Sequence, residues 1–432
     1  MLTEKDKKYV WHPYTQEKTA PAPIPIVSGK GSFLFSESGE KYLDAISSWW
    51  VNIHGHSHPY ISKKISEQSK KLEQVIFAGF THPKAIELAE RLIKILPSNH
   101  EKIFYSDDGS TSVEVALKMS FQYWANLHSN STGSAKKKKV KVLALEGAYH
   151  GDTFGAMSVS ERGIFTRPFV PFLFKVIHVP FPVKNGKEAI RFFKLQINKF
   201  KEQISSFIFE PLVQGAAGMR MYDKEVLNEM IYLCKKNNIL TIADEVMTGF
   251  GRTGKMFATD YLSEKPDVIC LSKGITGGFL PLGVTSCTGK VYEAFYSNEK
   301  SKTFFHGHSY TANPLACAAA CASLDLFEKK ETWKKIGMIE KMHKAFADEI
   351  KSLPGVSKTR TLGTIFALEL KTENETAYFN PMRNVIYNYF ISQKIILRPL
   401  GNIIYILPPF SISENELKKI YSVIKKFLSM RF

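Results

Sequence analysis

The residue with the strongest chemical promise is Lys273, in the run Asp267-Val268-Ile269-Cys270-Leu271-Ser272-Lys273-Gly274. An apolar strand ends there, and Gly274, Gly277 and Gly278 follow. A lysine at such an exit is expected to be desolvated and near positive charge. Both effects lower its pKa and free the amine to attack a carbonyl. Taken alone, a Lys-Gly pair after a strand is more often a surface lysine, so the neighbouring motifs must decide.

Three motifs bear on it. The run Leu240-Thr241-Ile242-Ala243-Asp244-Glu245-Val246 is a second apolar strand that delivers an acid upstream of Lys273. A carboxylate beside the pyridine nitrogen of pyridoxal 5′-phosphate (PLP) keeps the ring protonated and able to accept electrons. Asp244 fits that role, and fits a helix N-cap equally well. The run Tyr105–Glu114 is a strand entering a Gly109-Ser110 turn that opens a helix, with Thr111 and Glu114 at capping-box spacing. Free N–H groups at such a helix start suit a phosphate, as they suit an ordinary cap. In Gly147-Ala148-Tyr149-His150-Gly151-Asp152 an aromatic ring follows another strand and could stack on a flat cofactor. His150 by itself reads as a hydrogen-bonded structural histidine.

These residues must be positioned by the elements around them. Short apolar runs fall at Ile103–Tyr105, Val142–Leu145, Val176–Val179, Phe207–Glu210, Leu240–Asp244, Val268–Leu271 and Leu282–Cys287. Helical patterns lie between them, at Ile86–Leu96, Val113–Leu127 and Leu227–Lys236. This alternation predicts an α/β domain with a mainly parallel central sheet, whose chemistry gathers at the carboxyl ends of the strands. Residues 24–46 carry short alternating runs with turn signals. After about residue 330 come a long amphipathic helix (Trp333–Leu353), strands near Thr364–Leu370 and Ile403–Leu407, and a last helix, Glu414–Leu428, with Ser413 as its N-cap. The expected organisation is a large domain over 61–328 and a smaller α+β domain built from both chain ends, 1–60 and 329–432.

Composition narrows the function classes. A chain of 432 residues can bury a large core. The charged start, Met1 to Lys8, lacks an apolar run, and no stretch approaches the roughly 18 apolar residues of a membrane helix. A soluble cytoplasmic protein without a membrane partner is expected. The five cysteines include no CxxC pair, so buried reduced thiols are expected, with no metal site. The net charge of +17 comes from lysines spread along the chain. The one dense run, Lys136–Lys139, follows a Ser/Asn/Gly segment and reads as a solvated loop. No nucleic-acid motif accompanies it, so no nucleic-acid partner is expected. The excess charge suits steering of anionic substrates.

Together the ordered motifs resemble the class III aminotransferases, a branch of the fold-type-I PLP-dependent transferases. The segment Ile242–Gly254, reading through Asp244-Glu245 to Gly251-Arg252-Thr253-Gly254, is close to a signature of that class. The resemblance covers nearly the whole chain. The segments Val10-Trp11-His12-Pro13-Tyr14-Thr15, Ser47–His56, Glu210–Tyr222 and Asn313–Cys317 are similar to the branch acting on 8-amino-7-oxononanoate. That likeness implies biotin synthesis with S-adenosylmethionine, or alternatively lysine, as amino donor, and a homodimer; the alternative is another class III aminotransferase acting on an ω-amino acid or a diamine. It implies that Lys273 carries the cofactor and moves the proton. Asp244 would pair with the ring nitrogen, Gly109 and Ser110 hold the phosphate, and Tyr149 stack on the ring. Ser309, in His306-Gly307-His308-Ser309-Tyr310, would bind the phosphate in the partner subunit. Tyr14, Trp49, Tyr149 and Gly307 would line the substrate cavity, and Arg398 would clamp the substrate carboxylate. From the residues alone, Trp49-Trp50 also reads as core and Arg398 as a salt-bridge partner.

Overall fold

The computed structural model describes residues 2–128, 139–373 and 376–430. Its centre is a seven-stranded sheet, in spatial order His100–Ser106, Gly283–Thr288, Val268–Leu271, Leu240–Asp244, Ile204–Phe209, Lys141–Leu145 and Val176–Val179. Gly283–Thr288 runs antiparallel to both of its neighbours, and the other pairings are parallel. Every residue of Ile204–Phe209, Leu240–Asp244 and Val268–Leu271 is buried. That explains their largely apolar character, since a sheet covered by helices on both faces has no polar side to alternate with.

The helices Pro83–Ile95, Gly109–His128, Lys187–Phe200 and Lys224–Lys236 alternate with these strands. Pro83–Ile95 begins with proline in its first turn, and the His82 ring accepts the Ala85 N–H. The Thr111/Glu114 capping box does not form. The helix starts earlier, at Gly109, and Asp108 with Thr111 closes its end: Asp108 Oδ1 accepts the Thr111 N–H at 2.8 Å, and Thr111 Oγ1 accepts the Asp108 N–H at 3.1 Å. Glu114 instead reaches the backbone N–H groups of Gly155 and Ala156.

The chain ends meet. Lys41–Asp44 pairs in parallel with Ile395–Ile396, completing a four-stranded sheet with Ile26–Lys30 and Phe33–Ser36. Val356–Leu362, Ile365–Leu370 and Ile403–Ile406 form a three-stranded sheet, covered by the helices Lys330–Ile350 and Glu414–Ser429. Ser413 caps the latter in a capping box with Glu416. All five cysteines are buried and free. Among the described residues no helix is long and apolar enough to cross a membrane.

The lysine run falls largely at 136–138, outside the described residues, but its last member contradicts the solvated reading. Lys139 is 8% exposed, donates to the Asn238 carbonyl and stands over the Trp124 ring. Its aliphatic stem makes it a packing residue there.

Candidate active site

Loops leaving the carboxyl ends of the central strands enclose a cavity of about 650 Å³. Asp244, the last residue of its strand, contributes one wall and is buried. Its Oδ2 lies 2.7 Å from His150 Nδ1, and its Oδ1 accepts the Val246 N–H at 3.0 Å. A turn rather than a helix follows Asp244, so its carboxylate serves the turn and His150 together. His150 Nε2 is buried and has no hydrogen-bond partner.

Across the cavity, Lys273 follows its strand by two residues. Its φ of 42° is left-handed, a strained conformation for a residue with a side chain. Burial pushes its amine below the ordinary lysine value, against the attraction of Asp244, Glu210 and Asp108. The expected neighbouring positive charge is therefore not the cause: the nearby charges are acidic, and desolvation alone outweighs them. Lys273 Nζ stands 5.2 Å from the centre of the Trp50 ring.

At the head of the 20-residue helix Gly109–His128, the Thr111 N–H goes to Asp108 Oδ1 and the Ser112 N–H to the Asp108 carbonyl. The N–H groups of Gly109 and Ser110 are left for the cavity, at the positive end of the helix dipole. Glycine is required at 109, because a Cβ there would approach Val246 Cγ1 to 2.6 Å. Ser110 Oγ accepts the Thr153 N–H at 3.0 Å and so fixes the turn after His150.

Glu210 was missed as a site residue, although it ends an apolar strand as Asp244 does. It lines the cavity and accepts the Tyr149 N–H at 3.1 Å and the Gly215 N–H at 2.9 Å. Burial pushes its carboxyl up to about 7; the charge of Asp244 adds to this, while His150 and the two N–H donors oppose it. A carboxyl whose pKa is raised on folding holds its proton longer in the folded than in the unfolded chain. Its contribution to stability therefore falls as pH rises from its ordinary 4.5 to about 7, and is constant above. Glu210→Gln removes this titration. Melting temperatures across that window are expected to decline less steeply in the variant than in the parent, and parallel curves would refute the assignment.

A second cavity, of about 690 Å³, shares Trp50, Tyr149, Gly151, Asp152 and Lys273 with the first. Tyr14, Trp49, Phe165, Tyr378 and Arg398 line its remainder. The tryptophan pair divides: Trp50 is 6% exposed and donates to the Tyr405 hydroxyl at 3.1 Å, whereas Trp49 is 41% exposed and faces the cavity. The Arg398 guanidinium stacks 4.8 Å from the Trp49 ring and makes no ion pair among the described residues. The Tyr14 hydroxyl donates to Asp152 Oδ2 and lies 3.3 Å from the Tyr149 hydroxyl.

Two predicted site residues are not brought here. Gly307 and Ser309 are exposed and line neither cavity. The Ser309 carbonyl accepts from Gln74 Nε2 at 2.6 Å.

Comparison with known proteins gives this geometry its family. The family model for class III aminotransferases matches residues 14–428. The chain belongs to the class III aminotransferase family. This aminotransferase is 44% identical, over 97% of its length and 98% of the other chain, to the adenosylmethionine-8-amino-7-oxononanoate aminotransferase of Synechococcus elongatus. It is also similar to the crystal structure of the same-named protein of Methanocaldococcus jannaschii, with a TM-score of 0.91, 37% identity and 98% of both chains covered. An amine transaminase from an uncultivated Pseudomonas species, solved in its PLP-bound form, gives a TM-score of 0.88 at 28% identity over 96% of this chain and 97% of that one. The fold is that of fold-type-I PLP enzymes, and the cofactor of this aminotransferase is pyridoxal 5′-phosphate.

Proposed function

We propose that the aminotransferase transfers an amino group from S-adenosylmethionine to 8-amino-7-oxononanoate, yielding 7,8-diaminononanoate for biotin. The names of its relatives support this reading. So does one observation: the second cavity is lined by Lys273, by Trp49 and Tyr14, whose rings meet edge-on at 5.8 Å, and by one arginine, Arg398, which makes no ion pair among the described residues. A substrate with a reacting carbonyl, an apolar chain and a carboxylate matches that lining.

The residues present fit the cofactor. Gly109 and Ser110 offer N–H groups to its phosphate, Tyr149 a ring to its face, and Asp244 a carboxylate to its ring nitrogen. The orphaned, buried His150 Nε2 marks a polar position that a bound polar group would satisfy. When bound, PLP supplies an aldehyde that receives the amino group and a ring that withdraws electrons from the neighbouring carbon.

The chain's own residues do the rest. Asp244, held by His150 and the Val246 N–H, would set its carboxylate beside the ring nitrogen and favour protonation of that nitrogen. Lys273, with its amine pKa lowered by burial, would hold and move the proton between the amine-bearing carbon of the substrate and the aldehyde carbon of the cofactor. Arg398 fixes the far end of the second substrate. The exposed loop carrying Gly307 and Ser309 supports a homodimer in which it completes the partner subunit's cavity.

Holoenzyme given 8-amino-7-oxononanoate with S-adenosylmethionine, or with lysine, should form diaminononanoate detectable by mass with the first donor. Product with lysine alone overturns the donor; no product with either overturns the substrate. Trp49→Ala removes an apolar wall and the surface on which Arg398 rests. It should raise KM for the oxononanoate about tenfold, and an unchanged kcat/KM would count against this substrate.

A further inference from the structure

Beyond Arg398, the same end of the second cavity holds an arrangement with no role in the mechanism above. The Tyr378 hydroxyl lies 3.4 Å from Arg398 Nη2 and 3.3 Å from Arg383 Nη2. The Arg383 guanidinium also stands 4.8 Å from the Tyr378 ring centre. Its Nε is buried and unpartnered, and neither arginine makes an ion pair among the described residues. The Phe165 ring meets the Tyr378 ring edge-on at 4.7 Å, fixing its plane at the cavity wall.

A guanidinium can only donate, and a phenol has two acceptor lone pairs and one proton. With both lone pairs turned to arginines, the Tyr378 proton needs an acceptor, and the described residues supply none. Two positive charges on the oxygen polarise its O–H bond and make it a stronger donor toward an anion. Two guanidinium groups with no carboxylate between them among the described residues favour an anion brought by a ligand.

We propose that Tyr378 is a specificity-determining residue that donates its O–H to the same substrate carboxylate that Arg398 binds, and that Arg383 is a positioning residue acting through it. This rests on the proposed function in taking the ligand to be a carboxylate on an apolar chain. A carboxylate accepts from both groups at once. An alcohol of equal length offers neither a charge nor a second acceptor oxygen, so the site should reject it.

The test uses holoenzyme and two probes, nonanoate and 1-nonanol, as competitive inhibitors of transamination. The parent should hold nonanoate far more tightly than nonanol. Tyr378→Phe keeps the ring and its packing against Phe165, and should narrow the ratio about tenfold by weakening nonanoate alone. Arg383→Gln should narrow it in the same sense, and add little when combined with Tyr378→Phe. An unchanged ratio in Tyr378→Phe, equal weakening of both probes, or no preference in the parent would each overturn the proposal. The probes do not depend on which amine is transferred. An enzyme that ignores the oxononanoate yet loses nonanoate selectivity in Tyr378→Phe would refute the substrate and uphold Tyr378.

Discussion

Lys273→Ala should lower kcat about ten-thousand-fold, at the upper end of what a positioned acid–base group contributes. The expectation follows from its surroundings. Lys273 stands at the junction of both cavities, and among the described residues no other lysine lines either of them. Alanine removes the amine and leaves the cavity walls in place. The protein should therefore still bind PLP through Gly109, Ser110 and Asp244, with the visible absorption of the lysine-linked cofactor lost. Added methylamine, small enough for the vacated volume, should restore part of the rate. A variant with kcat near that of the parent would place the proton-transferring amine elsewhere.

Asp244→Asn should cost about a thousandfold in kcat, equivalent to roughly 4 kcal/mol of transition-state stabilisation. The substitution preserves size and at least one hydrogen bond, but removes a charge that is buried and therefore strongly felt. An amide cannot hold a proton on a pyridine nitrogen. Cofactor binding should fall much less than kcat, because the phosphate contacts are untouched. Single-turnover rates at saturating cofactor would check this, with Asp244→Glu expected to retain more activity than the amide. Similar rates in parent and Asn variant would mean that Asp244 only braces His150 and the Val246 turn.

The central strands were legible because they are buried on both faces and therefore write themselves as apolar runs. The acid and the amine were legible because each ends such a run. What escaped depends on pairings far apart in sequence. The Asp244–His150 contact joins a strand end to a loop distant in sequence, and no periodicity encodes it. Glu210 opens the segment Glu210–Tyr222, whose only signal in the sequence is its family likeness. Tyr378 lies in a turn and Arg383 opens the helix Met382–Ser392, with no apolar pattern to flag either as a site residue, and only their meeting beside Arg398 gives them meaning. The capping box was misplaced because Thr111 and Asp108 both suit a helix start, and spacing alone could not choose between them. The tryptophan pair carried both of its readings, one residue for each.

The wall that receives the substrate is made from opposite extremes of the polypeptide: Trp49 near its start and Arg398 near its finish stack on one another. The residues that line the cofactor cavity within one subunit, by contrast, all lie at or before Leu282. The residues that would grip the vitamin are thus all made before the arginine that would measure the acid to be acted upon.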